Sequence, residues 1–337
     1  MPKMMPSLPP RWAGFWGQPL NRQRRFTLLM GLAALVAACG SDSSPEAETD
    51  AAPAPVEPVI QHAFGETTIP ANPTRIVVLG YTLVETLVAL DVPPVGAPGV
   101  ILNEMTYLEL EPDAIADVGT PAQPNLERIT TLNPDLILTS QRLGEESYTL
   151  LAQIAPTVAF DVDEMTEWRS LTRLCAEALG KSDVAEKLSA DYEAKLAQLD
   201  DQVSQDLADL EASVVFVSPG QMRTFGKATF PGSVLADAGL SRPPSQTEGP
   251  GVNNISLEVL EQIDGDVMFI LTPQSETELA ADIEAEIART QASPLWPQLQ
   301  AVQNDQVYEA GPHWVIGSYI AANLMLDDLL TYFTPAS

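Results

Sequence analysis

The chain reads as an α/β protein of two lobes joined by one long helix, and three observations predict it. Short, continuously apolar runs alternate with helical patterns in both halves, among them Ile76-Val77-Val78-Leu79, Leu136-Ile137-Leu138 and Val267-Met268-Phe269-Ile270-Leu271. Runs of this kind suit parallel strands covered on both faces. Between the halves, Val184 to about Leu207 carries Ala185, Leu188, Tyr192, Leu196 and Leu199 with no Pro or Gly, a helix of roughly 36 Å at about 1.5 Å per residue. That is longer than one small domain needs and reads as a rigid linker between the halves, with an ordinary surface helix as the other reading. Third, the 299 residues from Cys39 to Ser337 suffice for two domains with cores of their own.

The first element is a leader. Arg22, Arg24 and Arg25 form a basic head, and the apolar stretch from Phe26 to Ala38 is 13 residues long. A spanning helix needs roughly 20 residues, so the segment is expected to be an export signal and not a permanent anchor. The paired Arg24-Arg25, with Phe26 one place early, leaves the twin-arginine route open. The ending Val36-Ala37-Ala38-Cys39 resembles a bacterial lipobox, which implies diacylation of Cys39 and removal of residues 1–38. From Gly40 to Pro58 the chain is rich in Pro and Ser, carries only negative charge and lacks apolar periodicity. Such a segment cannot bury enough surface to offset its ordering entropy. Residues 39–60 therefore read as a tether holding a soluble body off a membrane, followed by a first lobe at 61–183, a linker helix at 184–208 and a second lobe at 209–337.

Charge narrows the partners. Five of the 17 basic side chains precede Cys39 and none of the 46 acidic ones does, leaving 46 acids against 12 bases in the remainder. A nucleic acid would be repelled, and flat contact with an anionic lipid face is disfavoured. With Cys39 lipidated, Cys175 is alone, at core spacing with Leu171, Leu174 and Ala178, and reads as a buried thiol. The two histidines, His62 and His313, are too few for a zinc or manganese receptor.

In the first lobe, the Thr/Pro-rich opening Phe64 to Pro70 leads into the strand ending at Leu79. Gly80 and Tyr81 terminate that strand, and a helix runs from Thr82 to Leu90 with Thr82 as its candidate cap. Asp135 to Thr139 and Thr157 to Asp161 are further strands, with a helix around Leu171 to Leu179. The second lobe repeats the style, with strands at Ala212–Val217 and Gly265–Leu271. A short helix at Val234–Leu240 is stopped by Gly239, and a last helix from Ser318 to about Phe333 packs through Ile320, Ala321, Leu324, Met325 and Leu329.

From His62 to Phe333 the chain resembles the helical-linker class of periplasmic substrate-binding proteins, which serve ABC importers for ferric siderophores, haem and cobalamin. Four features carry the resemblance: Thr67-Thr68-Ile69-Pro70 through Leu79; Asp117-Val118-Gly119 with Pro124 to Ile129 and Leu132 to Ile137; Ile255 to Leu260 with Asp266 to Phe269; and the linker helix. The resemblance implies two Rossmann-like α/β lobes with a ligand cleft between them. It implies no catalysis and no resident cofactor. It also implies a monomer that captures a ferric siderophore and docks on a permease dimer through one glutamate per lobe, Glu127 and Glu258. On the residues alone, those two acids are equally explained as first-turn residues favoured by a helix dipole.

Ligands of α/β sheets sit beyond the carboxyl ends of the strands. The residues at those ends are Tyr81, Arg142, Arg223, and His313 with Trp314; core packing is the other reading of Trp314, a satisfied loop histidine that of His313 and surface loop positions that of the arginines, and Met105 and Tyr107 in the loop after Leu102 are weaker candidates. A ferric chelate has its iron already caged by oxygens, so its receptor needs cations and aromatic faces, not metal ligands. Only eight arginines follow Cys39, and two at strand ends in so acidic a body suggest an anionic ligand. Haem, held through Tyr81 or His313, and cobalamin are the rivals within the class; a scaffold lipoprotein is the rival outside it. No phosphate loop or nucleophile elbow supports an enzyme. A lipid-anchored periplasmic site, in a Gram-negative or cyanobacterial cell, is the expected location.

Overall fold

The computed structural model describes residues 57–108, 110–111, 114–203, 207–273 and 278–334. The expected export signal, Cys39 and nearly all of the expected tether lie outside the described residues. The body begins earlier than residue 61: β1 (Val59–His62) and β2 (Gly65–Thr68) form an antiparallel hairpin. The hairpin closes the edge of the first sheet, where the amide of Ala63 donates to the carbonyl of Ala159 at 3.0 Å and Thr67 Oγ1 donates to the carbonyl of Thr157 at 2.8 Å. An edge so covered offers no template for another chain.

The first lobe continues through β3 (Ile76–Leu79), α1 (Tyr81–Ala89), β4 (Gly96–Ala97), α2 (Gly99–Glu104), β5 (Ala116–Asp117), α3 (Leu126–Thr131), β6 (Leu136–Ser140), α4 (Glu145–Leu151), β7 (Thr157–Phe160) and α5 (Trp168–Ala178). Its five strands are parallel in the order β5-β4-β3-β6-β7. Every residue of β3, β6 and β7 is buried, as expected of strands with helices on both faces. The chain leaves β3 toward one edge and β6 toward the other, so their carboxyl ends form the switch point at which a crevice opens.

The linker is α6 (Ser182–Gln202), 21 residues and roughly 32 Å long. It starts two residues before the expected boundary and ends several before it. Beyond Gln202 the backbone turns extended, and Val203 and Leu207 are buried in the core of the second lobe.

That lobe consists of β8 (Ala212–Ser218), β9 (Gln221–Thr224), α7 (Phe230–Asp237), β10 (Val267–Leu271), α8 (Glu278–Gln291), α9 (Gln300–Gln303), β11 (Val307–Glu309) and α10 (Tyr319–Phe333). Three strands are parallel and β9 is antiparallel, in the order β11-β10-β8-β9. Arg223 is therefore on a strand and not in a strand-end loop. Gly220, at φ +70°, makes the tight turn that folds β9 back on β8.

The same device sets the register of both sheets. Asp135, one residue before β6, accepts from the amide of Arg75 at 3.0 Å, one residue before β3. Asp266, one residue before β10, accepts from the amide of Glu211 at 2.8 Å, one residue before β8. Each carboxylate thus clips neighbouring parallel strands together at their amino ends, away from the crevice.

The lobes are joined by more than the linker. Trp168 on α5 packs edge-on to Tyr192 on α6 (6.1 Å), Phe230 on α7 (5.4 Å) and Tyr319 on α10 (5.0 Å). Such pairs contribute about 0.5–1.5 kcal/mol each beyond area burial. Trp168 Nε1 donates to Ser233 Oγ at 3.0 Å, Arg169 pairs with Asp237, and Lys195 pairs with Asp327 at 2.6 Å. Deeper still, Glu85 on α1 is fully buried and serves as the cap of α10 in the other lobe. Its Oε1 accepts from the amides of Ser318 (2.7 Å) and Ala321 (2.9 Å) and from Ser318 Oγ (3.0 Å). These are the first backbone donors of α10, which would otherwise be orphaned. A Cβ on Gly317 would lie 2.7 Å from Glu85 Oε2, so only glycine admits the carboxylate there.

Candidate functional site

A cavity of about 490 Å³ opens between the lobes at the carboxyl ends of the strands. On the first lobe its wall includes Tyr81, Glu104, Tyr107, Arg142 and Glu164; on the second, Phe216, Arg223, Pro312, Val315 and Ile316. Leu79, Met105, Leu143 and Met165 complete an apolar lining with a few convergent polar groups, the usual composition of a small-molecule site.

The first wall is built around buried acids. Glu164, 8% exposed, accepts from the amide of Thr82 at 3.0 Å and is bonded by the Ser140 side chain. It caps α1 from a distance, replacing the local cap expected of Thr82, whose hydroxyl donates instead to the Glu164 carbonyl at 3.0 Å. A Cβ on Gly80 would meet Glu164 Oε1 at 2.5 Å, which explains the glycine at the end of β3. Burial raises the Glu164 pKa above the usual carboxylate range despite these bonds. Burial likewise raises that of Glu85, whose Oε2 accepts from the Tyr107 hydroxyl at 2.6 Å. Glu104 is bonded by the Tyr81 hydroxyl, and desolvation raises both pKa values. Arg142 pairs with Asp163 and leaves 65% of its side chain in solvent.

The second wall is different. Arg223 faces Phe216 across the β8–β9 register, and its guanidinium lies over two rings, 4.6 Å from the centroid of Phe216 and 4.3 Å from that of Phe225. Among the described residues no carboxylate pairs with it, and burial alone lowers its pKa. Aromatic faces hold the cation in place without cancelling its charge. Beneath it, Arg242 is 6% exposed and donates to the carbonyls of Ala212 and Phe225 and to Gln246 Oε1, fixing the strand segment that carries Phe225.

Three of the five ligand residues expected from the sequence, Tyr81, Arg142 and Arg223, share this cavity, as do Met105 and Tyr107. The other two do not line it. Trp314 is fully buried, 4.4 Å from Phe269 by ring centroids, with Nε1 donating to Asp328 at 2.7 Å. It is a core residue, its indole satisfied on the inner side of the loop. His313 is held by Asp328 at 2.8 Å and lies edge-on to Tyr107. Their neighbours Pro312, Val315 and Ile316 take the cleft positions. Sequence reasoning missed Glu104, Glu164 and Phe216, since acids in so acidic a chain and a phenylalanine in an apolar strand carry no distinguishing signal.

Glu127 and Glu258 are both exposed. Glu127 is in the first turn of α3, which Asn125 caps by accepting from the amide of Arg128 at 2.9 Å. Glu258 is not in a helix start; it sits in a turn before the 3-10 segment Leu260–Ile263. Among the described residues no three His, Cys, Asp or Glu side chains converge to hold a metal ion, and no helix is long and apolar enough to cross a membrane.

The periplasmic binding protein family model matches residues 76–313. The probable siderophore-binding lipoprotein YfiY of Bacillus subtilis strain 168 is 32% identical over 320 residues, covering 91% of this chain and 96% of its own. The achromobactin-binding periplasmic protein of Dickeya dadantii strain 3937 is 28% identical over 266 residues, 76% of this chain and 85% of its own. Among solved structures, Staphylococcus aureus SirA complexed with staphyloferrin B superposes with a TM-score of 0.69 at 29% identity, covering 82% of this chain and 98% of that one.

Proposed function

The chain belongs to the periplasmic binding protein family, and from that premise we propose that it is the ferric-siderophore-binding component of an ABC importer, in which the cleft receives an intact iron chelate and no bond is made or broken. The observation that carries this reading is Arg223: a half-buried guanidinium with no carboxylate partner among the described residues, lying over two aromatic rings in the lining of an apolar cavity. Such a cation matches the anionic oxygens and the rings of a chelate shell. The relatives named above for siderophore binding support the same substrate class. Tyr81, Tyr107, Phe216 and Arg142 complete the contact surface.

Cys39 is the lipid attachment point in this reading, holding the monomeric body at the periplasmic face of a membrane through the acidic tether. Glu127 and Glu258 dock on the two subunits of the permease. Both are exposed, one on each lobe, so a change in cleft geometry alters their separation and could signal loading.

One experiment with two arms tests this. The unacylated body, titrated with ferric hydroxamate, citrate and catecholate complexes and with haemin and cobalamin, should bind one class of ferric chelate saturably at sub-micromolar concentration and quench the fluorescence of Trp168, Trp296 and Trp314. A Soret shift with haemin, saturation by cobalamin, or silence throughout would overturn the substrate assignment. In the second arm, Glu127→Arg with Glu258→Arg should leave that affinity intact and abolish uptake; uptake at the normal rate would remove the docking role.

A further inference from the structure

Four carboxylates line or back the first wall of the cleft, and three of them are already committed. Glu85 accepts from two amides, Ser318 Oγ and the Tyr107 hydroxyl. Glu164 is engaged by Thr82 and Ser140 at the start of α1. Asp163 is paired with Arg142. Glu104, the last residue of α2, is the exception. It lines the cavity, and its one polar partner among the described residues is the Tyr81 hydroxyl, with no cation paired to it.

A carboxylate accepting a single hydrogen bond has unused lone pairs, and partial burial makes its charge costly unless a cation arrives. The raised Glu104 pKa, caused first by desolvation, reflects that cost. Across the cleft, Arg223 is in the mirror situation, a desolvated cation with no carboxylate partner among the described residues. The two do not neutralise each other, since no ion pair joins them. A cleft with an acid on one wall and a cation on the other, neither ion-paired among the described residues, is complementary to a dipolar ligand.

Building on the ferric-chelate reading, we propose that Glu104 is a specificity-determining residue that selects chelates bearing a protonated amine, with Tyr81 holding its carboxylate toward the cavity and Arg223 taking the anionic end. The amine would supply the missing donors to Glu104, and a chelate with only anionic periphery would be repelled there. Selection would thus combine attraction and exclusion at one side chain.

The test uses matched pairs of ferric complexes (hydroxamate, hydroxycarboxylate and catecholate), each with a free primary amine and with that amine acetylated. The unacylated protein should bind the free-amine member of its preferred class about tenfold or more tightly than the acetylated one. In Glu104→Gln that ratio should fall to near one, while affinity for the acetylated member stays at least at its original value, which also certifies that the variant is folded. Equal affinity for the two members, or a preference that survives in Glu104→Gln, overturns the role of Glu104 and leaves the ferric-chelate reading standing. Failure of every ferric complex to bind overturns that reading itself.

Discussion

The two lobes solve the same folding problem in the same way and then part company at the cleft. At the amino ends of both sheets an aspartate, Asp135 or Asp266, clips neighbouring parallel strands in register. At the carboxyl ends the first lobe gathers acids, Glu104 and Glu164 in the wall and Glu85 behind Tyr107, while the second presents an arginine over two phenylalanine rings with no carboxylate partner among the described residues. The sheet bottoms carry the architecture, and the tops carry discrimination. In a chain with 46 acidic side chains, a half-buried arginine over aromatic rings, with no carboxylate partner among the described residues, is the more informative arrangement.

The sharpest way to break this comparison is to remove that arginine. Arg223→Ala should weaken binding of the preferred ferric chelate by about 2–5 kcal/mol, the usual loss when one member of a desolvated charged contact is truncated, or roughly thirtyfold or more in Kd. Isothermal titration of the unacylated body would measure it. An unchanged Kd would move the anionic end of the ligand to the first lobe and dissolve the contrast.

How far the sequence reveals this asymmetry depends on which physical signal each residue carries. The apolar runs at Ile76, Leu136 and Val267 announce buried parallel strands because both faces of each strand are covered, and α6 announces itself by length and periodicity. Strand β9 is hidden: Gln221-Met222-Arg223-Thr224 is short and polar, so Arg223 reads as a loop residue. Trp314 shows the opposite failure. An indole beside a cleft loop fits the wall as well as the core, and the contact with Asp328 that draws it inward is 14 residues away in the chain. Glu104 and Glu164 are illegible for a statistical reason, since nothing local separates an acid on the cleft wall from the many solvated ones.

A smaller effect separates the Glu85 contact between the lobes from the cleft. Because burial raises the folded-state pKa of Glu85, the folded protein binds more protons than the unfolded chain between the usual carboxylate range and that raised value. Stability attributable to Glu85 should therefore decline as pH rises through this window, by at most about 1.4 kcal/mol per pH unit for one proton. Glu85→Gln should remove that component, so the difference between wild-type and variant unfolding free energies should slope with pH inside the window and flatten outside it. Denaturant titrations across the range would measure it, and parallel curves would show that the cap of α10 holds its carboxylate at no ionic cost.

The smallest expected change tests the comparison from the first lobe. Arg142 and Arg223 look equivalent in the sequence, each following a strand and each a scarce cation. Arg142, however, is already paired with Asp163 and leaves 65% of its side chain in solvent, so its charge is both compensated and screened. An exposed pair of this kind contributes about 0–1 kcal/mol, and a ligand would have to compete with Asp163 for it. Arg142→Ala should therefore shift the Kd of the ferric chelate by less than about tenfold, with Asp163→Ala tightening binding if Arg142 touches the ligand at all. A loss equal to that in Arg223→Ala would mean that the ligand strips Asp163 from Arg142 on binding, so that the two walls share the anionic contact and the division of charge between the lobes does not decide where the ligand's anionic end sits.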